Sequence, residues 1–413
     1  MKSRLTLNNL IAGLQTFFIC MTLYAGEKGI MGYAGEKLIL AIVFSLIGVF
    51  LNKKRVEINR RFKALIVMTC LMAVVITYSY FHSYCPEVTF PYWLRFIFVV
   101  LFSCICFDVD YVLKLCEYLQ KIGVFIAVIY IVTWPVMGRD AGIYMDYQYT
   151  AQVVSFSTAF TVTKLFSKDC NVFRELVNLM ILILTILITG KRMLFVIPLI
   201  LVIIIAIMSK DNQKYKKFFI LLVIAIIGIG TISLIMPSAL NAIDRLLDSS
   251  GDTSFNSRVY FWEYAMMLWS RNKIFGIGFA CFPRHIATAG VDLAKYHYIN
   301  AWAAHNIYYQ MLAEIGIVGT VVFCSVFVLG IVYTIYIYKK IKSFNNTQYS
   351  RVVLVSLYCQ LWFIIYGFTG NPLYLAGQFF IEIFGLILIS SIRNKLVKTN
   401  VGYIIRDINK NEN

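Results

Sequence analysis

The chain has 413 residues, 60% of them hydrophobic and 14% charged, with a formal net charge of +17. That balance lies outside the range of soluble globular domains, and the apolar residues gather in runs of roughly 17–22, long enough to cross about 30 Å of hydrocarbon. The runs are continuous rather than alternating, which excludes a transmembrane β-barrel. The fold class expected is therefore all-α, a polytopic membrane bundle of about twelve transmembrane helices.

In chain order, residues 1–237 are expected to carry nine spans, at 7–24, 37–52, 63–81, 92–108, 119–137, 149–166, 174–190, 193–208 and 217–237. The first has a basic start and an apolar core, as a signal peptide would, but the spans that follow make it a retained anchor. "YAGEK" occurs at 24–28 and again at 33–37, a local duplication too short to signal a repeat fold. Three further spans are expected at 316–338, 352–368 and 373–392. With the N-terminus inside, 26 of the 38 Lys and Arg fall in inner loops and tails, 11 in outer loops, and Arg95 within a span. This positive-inside asymmetry places both termini in the cytoplasm and makes the basic excess topological. No nucleic-acid partner is expected. Most cysteines fall in spans or inner loops; Cys85 and Cys281 fall in outer loops, where a disulfide between them is open.

Two places in the first nine spans are chemically unusual. The run from Leu176 to Met208 is too long for one upright span, and broken at Gly190 it becomes two short spans meeting at "TGKR". Lys191 and Arg192 then sit in a minimal outer turn, against the charge rule. Either they snorkel to lipid phosphates or they clamp a phosphate of a lipid-linked substrate, a task that suits the bidentate geometry of arginine. Arg95, inside the fourth span, is a candidate because intramembrane charge is expensive; it could equally snorkel outward past Pro91.

Residues 238–304 contain no convincing span and form one large outer loop. Loops of this length are usually functional. "SALNAIDRLLD" (238–248) and "SRVYFWEYAMMLWS" (257–270) have helical spacing, with "SSGDTSFN" (249–256) as the turn between them, so the loop is expected to be a small folded cap. Arg258 and Glu263 lie on its second helix, and "FGIGF" (275–279) is a glycine-spaced bend too weak to read as a nucleotide loop. Arg284 and His285 lie further along the cap. Residues 305–392 are the return to the membrane and the last three spans, and 393–413 an inner tail.

The stretch "AWAAHNIYYQMLAEIGIVG" (301–319) leads into the tenth span. Wound as a helix at about 100° per residue, it places His305, Asn306, Tyr309, Gln310 and Glu314 on one face. Interfacial anchoring of His305 and the tyrosines at the headgroup level is the plainer alternative. A catalytic pocket beneath the cap is the other.

Taken together, these segments resemble the O-antigen polymerase and ligase superfamily of membrane glycosyltransferases, the Wzy/WaaL type. "AHN" (304–306) followed by "LAEIGIVG" (312–319) resembles that family's His-Asn lead into the span after the loop. "SRVYFWEYA" with "FGIGF" resembles its Arg-led helix and glycine bend. "TGKR" resembles its short outer turn ending in arginine, with Lys191 where the family usually has serine. The resemblance implies a GT-C-like enzyme of the bacterial inner membrane, its large loop periplasmic. Such an enzyme moves a glycan from undecaprenyl pyrophosphate to an acceptor hydroxyl. Arg192 and Arg258, supported by Lys191, would neutralise the leaving pyrophosphate. His305 would be the base, oriented by Glu314 or Glu263. Asn306, Tyr309, Arg95, Arg284 and His285 are further candidates, and neither metal nor cofactor is called for. Polymerase is favoured, with ligase to the lipid A core as alternative and a lipid-oligosaccharide flippase as a lesser one. A chain-length regulator is an expected partner only of a polymerase.

Overall fold

The structure is a computed structural model and describes residues 7–24, 43–44, 47, 56–58, 63–168, 170–209, 211–223, 253–288, 303–342 and 347–411. Most of the spans expected at 37–52 and 217–237, nearly all of the "YAGEK" pair and the cap helix at 238–248 lie outside the described residues.

The described chain is helical apart from one small ribbon. Its helices are α1 (Leu7–Tyr24), α2 (Lys63–Phe81), α3 (Pro86–Ser103), α4 (Val109–Met137), α5 (Tyr147–Leu165), α6 (Val172–Thr189), α7 (Arg192–Met208), α8 (Thr253–Arg271), α9 (Phe282–Thr288), α10 (Ile307–Lys342), α11 (Thr347–Gly367) and α12 (Ala376–Asn411). Strands β1 (Val56–Ile58) and β2 (Ile105–Phe107) pair antiparallel, Val56 opposite Phe107. By length and composition α2, α4, α6, α10 and α11 are long and apolar enough to cross a membrane, and α1 and α7 are apolar but shorter.

Two expected boundaries move. The fourth span was expected at 92–108, whereas α3 runs Pro86–Ser103. Proline suits the first turn of a helix, where its missing N–H is not needed, and the chain leaves the helix at Cys104 to form β2. The tenth span was expected to begin at 316, but α10 begins at Ile307 and is interrupted at Gly316 (φ 62°, ψ −167°). The break expected at Gly190 is present: α6 ends at Thr189, Gly190 caps it in the left-handed conformation, and α7 begins at Arg192.

Helix α5 forms the centre, packed by α4, α6, α7 and α11. Asp146 caps it by accepting from the amides of Gln148 (2.6 Å) and Tyr149 (3.3 Å). Its buried surface is rich in hydroxyls, and these close on its own backbone, as in Thr163 to Ala159 O (2.8 Å) and Ser157 to Val153 O (2.7 Å). Those hydroxyls are thereby met inside the apolar interior. Its own Phe156 and Phe160 and the Tyr358 and Trp362 of α11 are all fully buried, with Trp362 Nε1 donating to Ser155 Oγ (3.0 Å). The bundle has two distinct ends. One carries the 190–192 turn, the start of α10 and the end of α11. The other carries Lys164, Lys168 and Arg174 beside the buried carboxylate of Glu175, which pairs with Lys164 (3.3 Å) and Arg174 (3.0 Å).

Candidate active site

The site is built where α10 starts, and the local sequence explains its geometry. Asn306 is the cap of α10: its Oδ1 accepts from the amides of Tyr308 (3.0 Å) and Tyr309 (3.3 Å), and its Nδ2 donates to Phe368 O at the end of α11 (3.3 Å). The helix therefore cannot extend back through residue 305. His305 instead stands outside it with φ +53°, a left-handed conformation that is uncommon for a residue with a side chain and concentrates at functional positions.

The strain is held from several sides. Trp262 of α8 donates from Nε1 to Ala304 O (2.9 Å) and stacks on Tyr309 with ring centres 5.5 Å apart. Gln310 accepts from the Ala304 amide (3.0 Å). With the Asn371 amide assigned to satisfy both neighbours, its oxygen accepts from the His305 amide (3.3 Å) and its nitrogen donates to Gly370 O (3.1 Å).

His305 is pushed down to about 4, first by burial and then by the charges of Arg258 and Lys191. Three of the sequence candidates, His305, Arg258 and Lys191, therefore converge although they come from α8, the 190–192 turn and the start of α10. The Arg258 Nε is shut off from solvent and has no acceptor. Lys191 lies over the Tyr147 ring at 4.8 Å, and Arg139 lies over the same ring at 5.3 Å. Lys191 and Arg192 also occupy the N-terminus of α7, where the helix dipole favours an anion and disfavours cations. The corner is strongly electropositive around one neutral imidazole, an arrangement that suits a phosphate oxygen next to a proton acceptor.

Other candidates are placed elsewhere, and their roles change. Glu314 does not orient His305. Its Oε2 accepts from Ala280 N (2.7 Å) and Tyr374 OH (2.7 Å), and its Oε1 from Phe282 N (2.9 Å) and Gln310 Nε2 (3.0 Å). The helical wheel that put the two residues on one face fails because His305 is not in the helix. Glu314 instead ties the segment leading into α9 to α10 and Tyr374, and Arg95 belongs to the same tie, donating to Tyr374 O (2.9 Å) and lying over the Tyr92 ring at 4.6 Å. Glu263 is exposed on α8 and makes no ion pair with Arg258, so it orients neither Arg258 nor His305. Arg284 is exposed on α9. His285 bonds Tyr264 OH through Nδ1 (3.0 Å) and packs on Tyr84; its pKa is lowered by burial and then by Arg271. Cys85 and Cys281 are both buried thiols, with Cys281 Sγ at 2.9 Å from Ser83 Oγ.

The glycine bend has a structural task. Where α10 breaks at Gly316, segment 273–278 runs alongside it. Ile277 N donates to Ala313 O (3.0 Å), Gly278 N to Glu314 O (2.8 Å) and Ile317 N to Lys273 O (2.9 Å). A Cβ on Gly316 would lie 2.2 Å from Ile274 O, and one on Gly276 2.3 Å from the Glu314 carbonyl carbon. "FGIG" and "EIGIVG" are thus two halves of one backbone junction that seats the cap.

Sequence reasoning missed Tyr147, Trp262, Asn371 and Tyr374. Their partners are remote in sequence, and an isolated aromatic in an apolar chain carries no signal of its own. Glu382 was missed as well, although a carboxylate inside an apolar run was visible. It is fully buried on α12, and both its oxygens lack a hydrogen-bond partner.

Residues 177–324 match the family model Wzy_C, described as O-antigen ligase. The matched stretch runs from α6 to the middle of α10 and contains every candidate taken from the sequence except Arg95. It agrees with the resemblance carried by "TGKR", "SRVYFWEYA" and "AHN". Among the described residues five helices are long and apolar enough to cross a membrane, so the chain is a multi-pass membrane protein, and its residues 177–324 are similar to the Wzy/WaaL type. No curated protein matches it.

Proposed function

We propose that the protein transfers a glycan from undecaprenyl pyrophosphate to a sugar hydroxyl, as an O-antigen polymerase joining lipid-linked repeat units at the outer face of the inner membrane. The observation that carries this reading is the left-handed, half-buried His305, held in place by Trp262, Gln310 and Asn371, with Arg258 and Lys191 near enough for their charges to lower its basicity. The acceptor O–H gives its proton to His305 while its oxygen bonds to the anomeric carbon of the donor. The bond from that carbon to the pyrophosphate oxygen breaks, and the electron pair leaves with the pyrophosphate. Arg258, Lys191 and Arg192 stabilise that growing charge.

The order of events follows from the same charges. In the empty site the two cations depress the basicity of His305. A bound pyrophosphate cancels them and restores it, so the base becomes effective once the donor is in place. About twelve spans, a periplasmic cap over residues 238–304 and cytoplasmic termini complete the arrangement. Transfer to the lipid A core is a second reading, favoured by the description of the matched family.

The test supplies purified protein with undecaprenyl-pyrophosphate-linked repeat units, with and without lipid A core. A ladder of lengthening glycans without the core supports the polymerase, and transfer only when the core is added supports the ligase. Full activity of His305→Ala in both assays would overturn the assignment of the base.

A further inference from the structure

Cys85 precedes α3 and Cys281 precedes α9, and 196 residues separate them in the chain, yet Cys281 Sγ lies 3.7 Å from Cys85 O. Ser83 Oγ stands between them, 2.9 Å from Cys281 Sγ while it accepts from the Cys85 amide (3.1 Å). Both side chains are buried in one apolar cluster with Phe261, Tyr264 and Phe282. Burial and then Glu87 raise the Cys85 thiol, and its contact with the Cys281 side chain works the other way.

The backbones that carry the two residues are docked independently of the sulfurs. Tyr84 N donates to Ile277 O (2.8 Å), Phe279 N to Ser79 Oγ (2.7 Å) and Thr89 Oγ1 to Phe279 O (2.8 Å). Glu314 holds the amides on either side of Cys281, Ala280 N at 2.7 Å and Phe282 N at 2.9 Å. A sulfur–sulfur bond would therefore fasten a contact that already exists, whereas cysteines placed apart cannot be bridged without moving the backbone. Thiols are weak hydrogen-bonding groups, so as thiols the pair adds little to this joint.

We propose that Cys85 and Cys281 form a disulfide when the chain folds in an oxidising compartment, fastening the start of α3 to the segment leading into α9. One thiolate attacks the disulfide of a small-molecule or protein oxidant, forms a mixed disulfide and releases one thiol. The second thiolate attacks the sulfur bound to the first, closes the Cys85–Cys281 bond and releases the oxidant's other thiol. The pair gives up two electrons and two protons, and the oxidant takes them. The exchange belongs to folding, while the joint is open. The closed joint buries both sulfurs, and burial pushes Cys281 up to about 11, too high for a ready thiolate. The oxidising compartment is the outer face of the function proposed above, and the inference rests on that placement; the pairing rests on the geometry alone.

The test blocks free thiols with N-ethylmaleimide as cells are lysed in denaturant, then maps the peptides of the full-length protein by mass spectrometry. The expected result is a peptide pair joined through Cys85 and Cys281, with eight of the ten cysteines labelled, and all ten once reductant precedes the label. In Cys85→Ser the remaining nine are labelled with or without reductant. A second arm incubates the purified, reduced protein with oxidised glutathione just below its melting temperature, where the joint opens. A bond that forms with glutathione but not in cells would overturn the outer-face placement and leave the pairing standing. Cys85 and Cys281 free in both arms would refute the pairing.

Discussion

Replacing Glu314 by glutamine separates a structural role from a catalytic one. The carboxylate accepts four hydrogen bonds, two at each oxygen. An amide keeps one oxygen and sets an NH2 where the other was. If the NH2 takes the Oε2 position, the Tyr374 hydroxyl can turn and accept from it, leaving only the Ala280 amide facing a donor. If it takes the Oε1 position, both Phe282 N and Gln310 Nε2 face a donor, and Gln310 cannot flip without losing Ala304 N. The first orientation is preferred. The expected loss is one orphaned buried amide, about 1–3 kcal/mol. Glu314→Ala orphans all four donors and should lower stability by more than about 4 kcal/mol. Thermal unfolding in detergent reads the stability, and hydrogen exchange at residues 278–284 reads the tie itself. Faster exchange there with a lowered Tm is the expected result. Unchanged melting and exchange with a collapsed transfer rate would refute the tie and make Glu314 catalytic.

His305→Gly removes the strain of a left-handed non-glycine residue, worth about 1–2 kcal/mol. It should melt no lower than His305→Ala while transfer falls about 10²–10⁴-fold in both; equal rates in variant and wild type would contradict the base. For pH, the free-enzyme value of about 4 lies below the ordinary 6.5. His305 stays neutral in the fold while the unfolded chain takes up a proton, so its contribution to stability is lost as pH falls from about 6.5 toward 4. Correspondingly, kcat/KM should hold its acid-side plateau until near pH 4, and Arg258→Gln should move the bend upward; a wild-type bend near 6.5 would refute the depression. Glu382→Leu removes a buried carboxylate without partners and should stabilise the protein by about 1–3 kcal/mol. A lower Tm would show that Glu382 is engaged by a group not bonded to it in this structure.

Several helices were legible because length and apolarity are local properties; α1 and α2 begin and end where hydropathy places them. The start of α3 depended on Pro86, and its end on a pairing with β1, which hydropathy does not report. The "TGKR" break was readable from length alone, since one helix could not hold the run. The motifs that hold His305, Arg258 and Lys191 were legible from their order in the chain, and the roles given to these residues belong to the proposal. The role given to Glu314 failed because winding 301–319 as one helix ignored the capping power of Asn306. A cap one residue after His305 rotates that side chain off the face it would otherwise share. The glycines of 276 and 316 were visible as a bend and a span start, but only their opposed backbones show that they form a single junction.

The hydroxyl-rich character of α5 has a consequence for how the protein is made. At 19 residues it is long enough to span, yet it falls short of the apolarity of the five candidate spans. A segment of this kind has little tendency to partition from the translocation channel into lipid by itself. Its natural solvent is the set of helices around it, three of which, α6, α7 and α11, are synthesised after it. Insertion of the central helix is therefore a collective step that waits for its neighbours, and a nascent chain halted just after Leu165 would leave its core outside the bilayer.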